Sequence, residues 1–294
     1  MIRFSKYIWL YFCLSACVIV PGIMGLLIFG LKPAVDFTGG TLMELHFQSP
    51  TTQSYITQIL AKDHIQAVGI QTSSSTNYLV RLKPETDATI LSLEKTLAGD
   101  SLNKISILSN ETVGPVLGKE LLQKTVMAAI VAIIAMLSYV AYAFKDIKFG
   151  VAAILALIHD LLVVLGTFAL LGHFLNVEVD TLFVTAFLTT MSFSVHDTIV
   201  VFDRIREMLK RGDRLPFDQL CDKALTQTMG RSLANSLTIM FMLLALVLMG
   251  GATVKWFVFA LLIGTISGTY SSDFIATPIL ILWDRWEKKK RITK

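Results

Sequence analysis

Six apolar stretches of the chain are each long enough to cross a lipid bilayer, which takes about 20 residues in an α-helix. The composition agrees, because 54% of the residues are hydrophobic, 16% are charged and the mean hydropathy is +0.64. We therefore predict a membrane α-helical fold with six transmembrane helices. The predicted spans are Tyr7–Leu31, Val126–Phe144, Phe149–Leu171, Thr181–Phe202, Ser232–Gly250 and Trp256–Trp283.

Basic residues gather on one side of the membrane if these spans alternate in direction. They are frequent before the first span, after the second, between residues 204 and 231, and in the tail. The two short loops on the other side, residues 172–180 and 249–255, hold a single basic residue, Lys255. The positive-inside rule therefore predicts that both termini are cytoplasmic. The first span is too long for a signal peptide, so we expect it to remain as an anchor.

One hydrophilic stretch of about 85 residues lies between the first and second spans, and a stretch of this size can bury a modest core. Its alternation and breakers predict the order strand, helix, strand, strand, helix, strand. This order is typical of a ferredoxin-like α+β domain, which we expect to be periplasmic. The predicted strands are Thr41–Phe47, Ala67–Ser73, Tyr78–Leu82 and Ile105–Ser109, and the helices are Thr51–Lys62 and Asp87–Leu97.

The chain thus divides into four parts by pattern. They are residues 1–31 with the first span, the domain 32–119, the spans within 120–283, and the basic tail 284–294. His46 and His64 are isolated within the hydrophilic domain. We therefore expect no metal site and no cofactor.

Acidic residues interrupt three of the apolar spans, at Asp160 beside His159, at Asp197 and at Asp273. A carboxylate at membrane depth is costly, so it normally faces the interior of a bundle and marks an ion or proton path. Arg231 is the best candidate partner for Asp197, because both lie toward the cytoplasmic half of adjacent helices. Burial disfavours an ionised carboxyl group and a guanidinium favours it. An aspartate between these influences can bind and release a proton as its partner moves.

Polar residues also form stripes on the last three spans. The stripes are Thr190, Ser194, Asp197 and Thr198; Arg231, Asn235 and Thr238; and Thr265, Thr269, Asp273 and Thr277. Gly264 and Gly268 form a G-x-x-x-G pattern that lets helices approach closely. These stripes predict one hydrated patch inside the bundle.

Purely structural roles remain open for the same residues. Asp197 fits a static partner between helices, and the pair His159 and Asp160 fits either a proton relay or hydrogen bonds that pack helices. Asp273 fits a hydrogen bond across an interface. Arg231 lies near enough to the membrane edge to be only a topological charge.

Four motifs in order resemble the SecD/SecF family of bacterial protein-export membrane proteins, and in particular its SecF subunits. They are VDFTGGTLMEL at residues 35–45, HDTIVVFDRIRE at 196–207, RSLANSLT at 231–238 and GTYSS at 268–272. The resemblance implies half of a transporter of the RND superfamily, in the bacterial inner membrane. It also implies a SecD-like partner subunit, the SecYEG channel and a secreted polypeptide as partners, besides membrane lipids and without nucleic acid.

The family resemblance also assigns residues. It implies that Asp197 is the intramembrane acid for ion translocation and that Arg231 is its paired arginine. The resemblance to the motif that leads into the periplasmic domain covers Asp36, Phe37, Gly39 and Gly40, where glycines permit a hinge.

Two positions depart from the family pattern within the predicted ion path. His196 stands where asparagine is usual, and it could extend a proton path or fill the same volume. Asp273 stands where the family is typically apolar, so it could belong to an altered ion site. The resemblance implies a proton, or sodium as in some members of the family, and these departures leave the choice between the two ions open.

The leading hypothesis is an auxiliary subunit of Sec-dependent export that couples the proton or sodium gradient to polypeptide movement, without covalent chemistry. The second is half of an RND-type exporter of small molecules or lipids. The third is an intramembrane aspartyl protease that uses Asp160 and Asp197, which requires both carboxyl groups within reach of one water.

Overall fold

The computed structural model describes residues 3–62, 65, 67–72, 74–85, 87–98, 105–144, 146–212 and 215–292. It divides into two compact units. The helical unit comprises Met1–Leu31, Ala129–His173 and Leu182–Lys294, and the head unit comprises Lys32–Ala128 and Phe174–Thr181. Within the described residues, six helices are long and apolar enough to cross a membrane, which confirms the predicted number of spans.

The elements follow one another along the chain from a short 3₁₀ turn, Phe4–Lys6. In order they are α1 (Ile8–Ile28), α2 (Val35–Thr38), β1 (Gly40–Phe47), α3 (Gln53–Lys62), β2 (Ala67–Thr72), β3 (Asn77–Leu82), α4 (Asp87–Ala98), β4 (Ile105–Val113), α5 (Pro115–Ala143), α6 (Ile147–Leu175), α7 (Thr181–Lys210), α8 (Phe217–Met249), α9 (Ala252–Ser271), a π-helical turn (Ser272–Ala276) and α10 (Thr277–Ile292). The spans are α1, α5, α6, α7, α8 and the continuous segment from α9 to α10.

Several helices continue beyond the apolar stretches that mark the spans. α5 begins at Pro115 instead of Val126, α7 ends at Lys210 instead of Phe202, and α8 begins at Phe217 instead of Ser232. A helix satisfies its own backbone hydrogen bonds in water as in lipid. Hydropathy therefore indicates which part of a helix can lie in lipid, but not where the helix ends.

The sixth span is not a regular α-helix, because a π-helical turn interrupts it at Ser272–Ala276. Pro278 follows this turn and has no backbone N–H to donate to the carbonyl four residues earlier. The proline therefore gives a local reason for irregular helix geometry here. Turns of this kind are frequent at functional sites.

The centre of the helical unit contains a close contact between α9 and α7. A Cβ atom on Gly264 would overlap the side chain of Thr190, and one on Gly268 would lie 3.1 Å from the Cα atom of Ser194. The G-x-x-x-G pattern thus brings two backbones together, as predicted.

The head unit contains one four-stranded antiparallel sheet with the strand order β2-β3-β1-β4. Together with α3 and α4 this is the ferredoxin-like order, so the predicted fold is confirmed. Met43, Leu45 and Phe47 alternate along β1 and are buried. β4 extends to Val113, beyond the predicted end at Ser109. Ser73, the predicted end of β2, lies outside the described residues.

Residues 174–181, which connect α6 to α7, belong to the head unit. Val179 pairs with the chain before β1, because its N–H donates to Lys32 O (2.8 Å) and its carbonyl accepts from Ala34 N (2.9 Å). Glu178 forms a buried ion pair with Arg81 of β3. Burial lowers the pKa of Arg81 to about 10, so the guanidinium remains charged at neutral pH. Hydropathy predicted this segment only as a loop.

Candidate ion-binding site in the helical unit

Asp197 lies on α7 and is partly buried. Its nearest hydrogen-bonding side chains come from α8, where the hydroxyl of Ser236 lies 3.5 Å from Oδ2. Ser232, one turn earlier on α8, lies on the same helix face as Ser236. His196 is exposed and within electrostatic range of Asp197. The carboxyl group thus has weakly bound oxygen neighbours and partial access from outside the bundle.

Arg231 is placed differently from its predicted role beside Asp197. It is exposed at the side of α8, where it lines a crevice with Asp203, Arg204 and Glu207 of α7. Across the described residues the structure shows no ion pair between Arg231 and Asp197. Within this single chain, therefore, the predicted pair is not assembled.

The whole predicted stripe on α8 faces outward, as Arg231 does. Arg231, Asn235 and Thr238 are all exposed, whereas Ser232 and Ser236 are buried. Neighbouring residues on a helix point about 100° apart, so a shift of one position exchanges the outer for the inner face.

Asp160 is the most completely hydrogen-bonded acid of the helical unit. It is 5% exposed. Its carboxylate accepts from four side chains, which are the hydroxyls of Ser194 (2.5 Å), Ser267 (2.5 Å) and Ser271 (2.6 Å) and Nδ1 of His159 (3.0 Å). Nε2 of His159 contacts the hydroxyl of Ser15 on α1. The network therefore joins α1, α6, α7 and α9, and it favours the helix-packing interpretation of His159 and Asp160.

Asp273 lies in the π-helical turn and is 4% exposed. One of its carboxyl oxygens, Oδ1, has no hydrogen-bond partner within the described part of the chain. The sixth span packs closely on α7, with Gly268 against Ser194, so the turn that contains Asp273 follows at the level of Asp197. The structure thus brings Asp273 into the neighbourhood of Asp197.

The motif at residues 36–40 lies at the start of the sheet in the head unit. The carboxylate of Asp36 accepts hydrogen bonds from the N–H (3.2 Å) and the hydroxyl (2.8 Å) of Thr181, the first residue of α7. Phe37 is buried. Gly39 and Gly40 have φ of 76° and 132°, which disfavour other residues, and Gly39 packs against Pro115 of α5.

The structure gives no support to a metal site in the residues it describes, where no group of three or more potential ligands occurs. His46 contacts the side chain of Asn77 through Nδ1 (2.6 Å), a bond between neighbouring strands. His64 lies outside the described residues.

Most of the hydroxyl groups around the acids were missed by sequence reasoning. They are Ser15, Ser232, Ser236, Ser267 and Ser271. The available signal was their spacing, because Ser232 and Ser236, like Ser267 and Ser271, are four residues apart and share one helix face. Serine is common enough that this spacing indicates a site only once a facing acid is known.

Fold and site together define a class, which is a multi-pass membrane protein with six spans, one ferredoxin-like head and several acids inside its helical unit. Residues 93–286 match the family described as protein export membrane protein SecD/SecF, C-terminal, and residues 25–51 match the SecD/SecF GG motif. The chain belongs to this family, which confirms the resemblance that the four motifs predicted.

Individual relatives agree with the family assignment. The chain is 39% identical to the protein translocase subunit SecF of Thermobaculum terrenum, over 97% of this chain and 94% of that one. It is 36% identical to SecF of Anaerolinea thermophila, over 95% and 93%. It also matches the crystal structure of SecDF, a translocon-associated membrane protein from Thermus thermophilus, with a TM-score of 0.87 and 33% identity. That match covers 97% of this chain and 39% of the SecDF chain, so the chain spans about two fifths of SecDF.

Proposed function

We propose that this chain, a multi-pass inner-membrane subunit of Sec-dependent protein export, couples an ion gradient to the movement of the exported polypeptide. Its relatives are named as protein translocase subunits. Those names indicate a non-catalytic export subunit, and they favour protein export over a small-molecule or lipid exporter. The surroundings of the acids also argue against a protease dyad, because Asp160 is saturated by serines and His159 while Asp197 has its own neighbours on α8.

The coupling proposal rests on α7, which links the ion site to the motif of the head unit. Asp197 lies within the apolar part of α7, and the first residue of α7, Thr181, donates two hydrogen bonds to Asp36 of the motif that leads into the sheet. A helix is a stiff element, so a change at Asp197 that shifts α7 also shifts the residues bound to Thr181. We infer that α7 transmits the state of the ion site to the head unit.

The membrane field supplies energy for such a movement. One elementary charge that crosses the whole membrane field releases about 2.3 kcal/mol per 100 mV. We propose that Asp197 binds the ion, a proton or sodium, and that its neutralisation changes how α7 packs against α8. The groups that respond first are Ser232 and Ser236, because they face the carboxyl group.

A SecD-like subunit completes the site in this proposal. The fused SecDF relatives are longer than this chain, which covers 36% of the Thermus thermophilus protein. Arg231, Asn235 and Thr238 form an exposed polar face on an otherwise apolar helix, and lipid is a poor environment for such a face. We propose that the partner covers this face and that Arg231 acts on Asp197 in that assembly. The SecYEG channel and the polypeptide are the further partners.

The distribution of basic residues predicts the orientation of the chain in the membrane. Both termini lie in the cytoplasm by the positive-inside rule, so the head unit is periplasmic. The polypeptide therefore meets the head unit as it leaves the membrane.

Export driven by an imposed gradient tests the function. Membrane vesicles that contain the chain, its SecD-like partner and the channel are supplied with a proton or sodium gradient, and translocated polypeptide is measured. We expect Asp197→Asn to abolish the stimulation by the gradient while the partner still co-purifies. Asp146→Asn is the control, because Asp146 precedes α6 with a largely exposed side chain and is not among the residues that line the crevice at Arg231. Full stimulation in Asp197→Asn would exclude this role for Asp197.

A further inference from the structure

Two buried oxygen atoms next to Asp197 have no hydrogen-bond partner among the residues described. They are Oδ1 of Asp273 and the hydroxyl of Ser232, whose residues are 4% and 7% exposed. A buried polar atom without a partner costs about 1–3 kcal/mol, so such atoms are rare in native proteins. Their occurrence on two elements that approach the same carboxyl group therefore points to something that binds between them.

The oxygen atoms around this point come from three spans. Asp197 lies on α7, Ser232 and Ser236 lie one turn apart on α8, and Asp273 lies in the π-helical turn of the sixth span. Ser236 Oγ is 3.5 Å from Asp197 Oδ2, and Ser232 lies on the same face of α8 one turn earlier. The sixth span packs against α7 where Gly264 meets Thr190 and Gly268 meets Ser194, and continuing along both helices brings Asp273 to the level of Asp197. Carboxylate and hydroxyl oxygens are the donors that hard cations prefer.

We propose that Asp197, Ser232 and Asp273 form a binding site for one monovalent cation, in which Asp273 supplies a second carboxyl group. The inference rests on the proposed function and names the groups that hold the ion. None of the four motifs that carry the family resemblance includes Asp273.

The charge balance supports a site for a cation. Two carboxylates close together in a medium of low dielectric constant repel each other, and a proton or sodium ion removes the repulsion. The other titratable groups near the two acids are Asp160 of α6, which accepts from the neighbouring Ser271, and His196, which precedes Asp197 on α7. Tyr11 and Tyr270 also pack here, with rings 4.8 Å and 5.3 Å from that of Phe274. Asp160 already accepts four hydrogen bonds, tyrosine is not an anion at neutral pH, and histidine is not an anion in either protonation state. Asp197 and Asp273 are therefore the groups that a cation would neutralise.

Binding of the ion can be measured without export. The chain is purified with its partner, and sodium chloride is titrated against a potassium chloride background by calorimetry. In parallel, infrared spectra across a pH series follow the carbonyl band of protonated carboxyl groups. If sodium is the ion, Asp273→Asn is expected to weaken its binding about tenfold or more, equivalent to about 1.4 kcal/mol. If the ion is a proton, a band of protonated carboxyl disappears in Asp273→Asn.

Two further variants make the test specific. Ser232→Ala is expected to weaken sodium binding or to shift the carboxyl band without removing it, because it deletes one neutral oxygen. Asp218→Asn is the control, a partly exposed acid on α8 that pairs with Arg285 (2.6 Å) and should leave both measurements unchanged. Size-exclusion profiles confirm that each variant is assembled.

The outcomes separate this inference from the proposed function. If Asp273→Asn and Ser232→Ala bind sodium as the unchanged protein does and keep every carboxyl band, the two-carboxyl site is wrong. Loss of gradient-driven export in Asp197→Asn would then still support the proposed function. If Asp197→Asn keeps that export but Asp273→Asn loses cation binding, the proposed function is wrong and the binding site stands.

Discussion

Replacement of Asp160 tests whether this residue is a packing centre or part of the ion path. Its carboxylate accepts three hydroxyl hydrogen bonds of 2.5–2.6 Å and one imidazole hydrogen bond of 3.0 Å while it is 5% exposed. Asp160→Ala removes all four acceptor contacts and leaves His159 facing an empty space. Asp197, in contrast, is partly buried, and the hydroxyl of Ser236 lies 3.5 Å from its carboxylate.

The contacts set the expected size of the effect. Hydrogen bonds between membrane helices average about 0.6 kcal/mol, whereas bonds to charged groups in proteins reach about 1.5 kcal/mol or more. Four such bonds place the cost of Asp160→Ala at about 2.5–6 kcal/mol of the free energy of unfolding. Asp160→Asn keeps one acceptor oxygen, so we expect about half of that. Asp197→Asn is expected to cost less than about 1 kcal/mol, because it loses one long bond.

Unfolding in mixed micelles, with increasing sodium dodecyl sulfate, measures these differences through the fluorescence of the four tryptophans. The expected order of destabilisation is Asp160→Ala, then Asp160→Asn, then Asp197→Asn. Export stimulated by an ion gradient should show the opposite pattern, with Asp197→Asn most affected once protein amounts are equal. If Asp160→Asn is as stable as the unchanged protein and loses the gradient response completely, Asp160 carries the ion and the packing argument is wrong.

Three other changes test separate parts of the structure. Asp36→Ala removes both hydrogen bonds to Thr181, and we expect it to lower the free energy of unfolding by about 1–2 kcal/mol, as a lost helix cap does, and to uncouple export from the gradient. Asp36→Asn should retain part of the stability and part of the coupling, as thermal unfolding and export assays would show. Glu178→Gln leaves the charge of Arg81 buried without its partner, and we expect it to destabilise the head unit by about 3 kcal/mol. Faster proteolysis within residues 174–181 would report this loss, and unchanged proteolysis would contradict the expectation. Gly264→Leu forces a side chain against Thr190, and we expect it to lower the free energy of unfolding in micelles by about 1–3 kcal/mol. Gly230→Leu is the control at an open position on α8 and should lower it far less.

The architecture could be predicted from the sequence because the rules that govern spans and strands apply within single segments of the chain. A bilayer requires long apolar stretches, so the apolar stretches of the sequence located six spans. Alternation and breakers did the same for the ferredoxin-like head, whose strand order follows from the order of its elements. The acids at Asp160, Asp197 and Asp273 were visible for a similar reason, since a charge in an apolar stretch is costly wherever it points.

Which side chains meet depends on how the helices and strands pack. Hydropathy could not show that Ser232 instead of Arg231 faces Asp197, because one residue of helix rotation separates the inner face from the outer one. It also could not show that serines from two other helices saturate Asp160, or that Glu178 binds Arg81, because these contacts join residues distant in sequence. The hydropathy pattern indicates which face or stretch of each segment can be buried, whereas the partner of a buried group depends on how the segments pack.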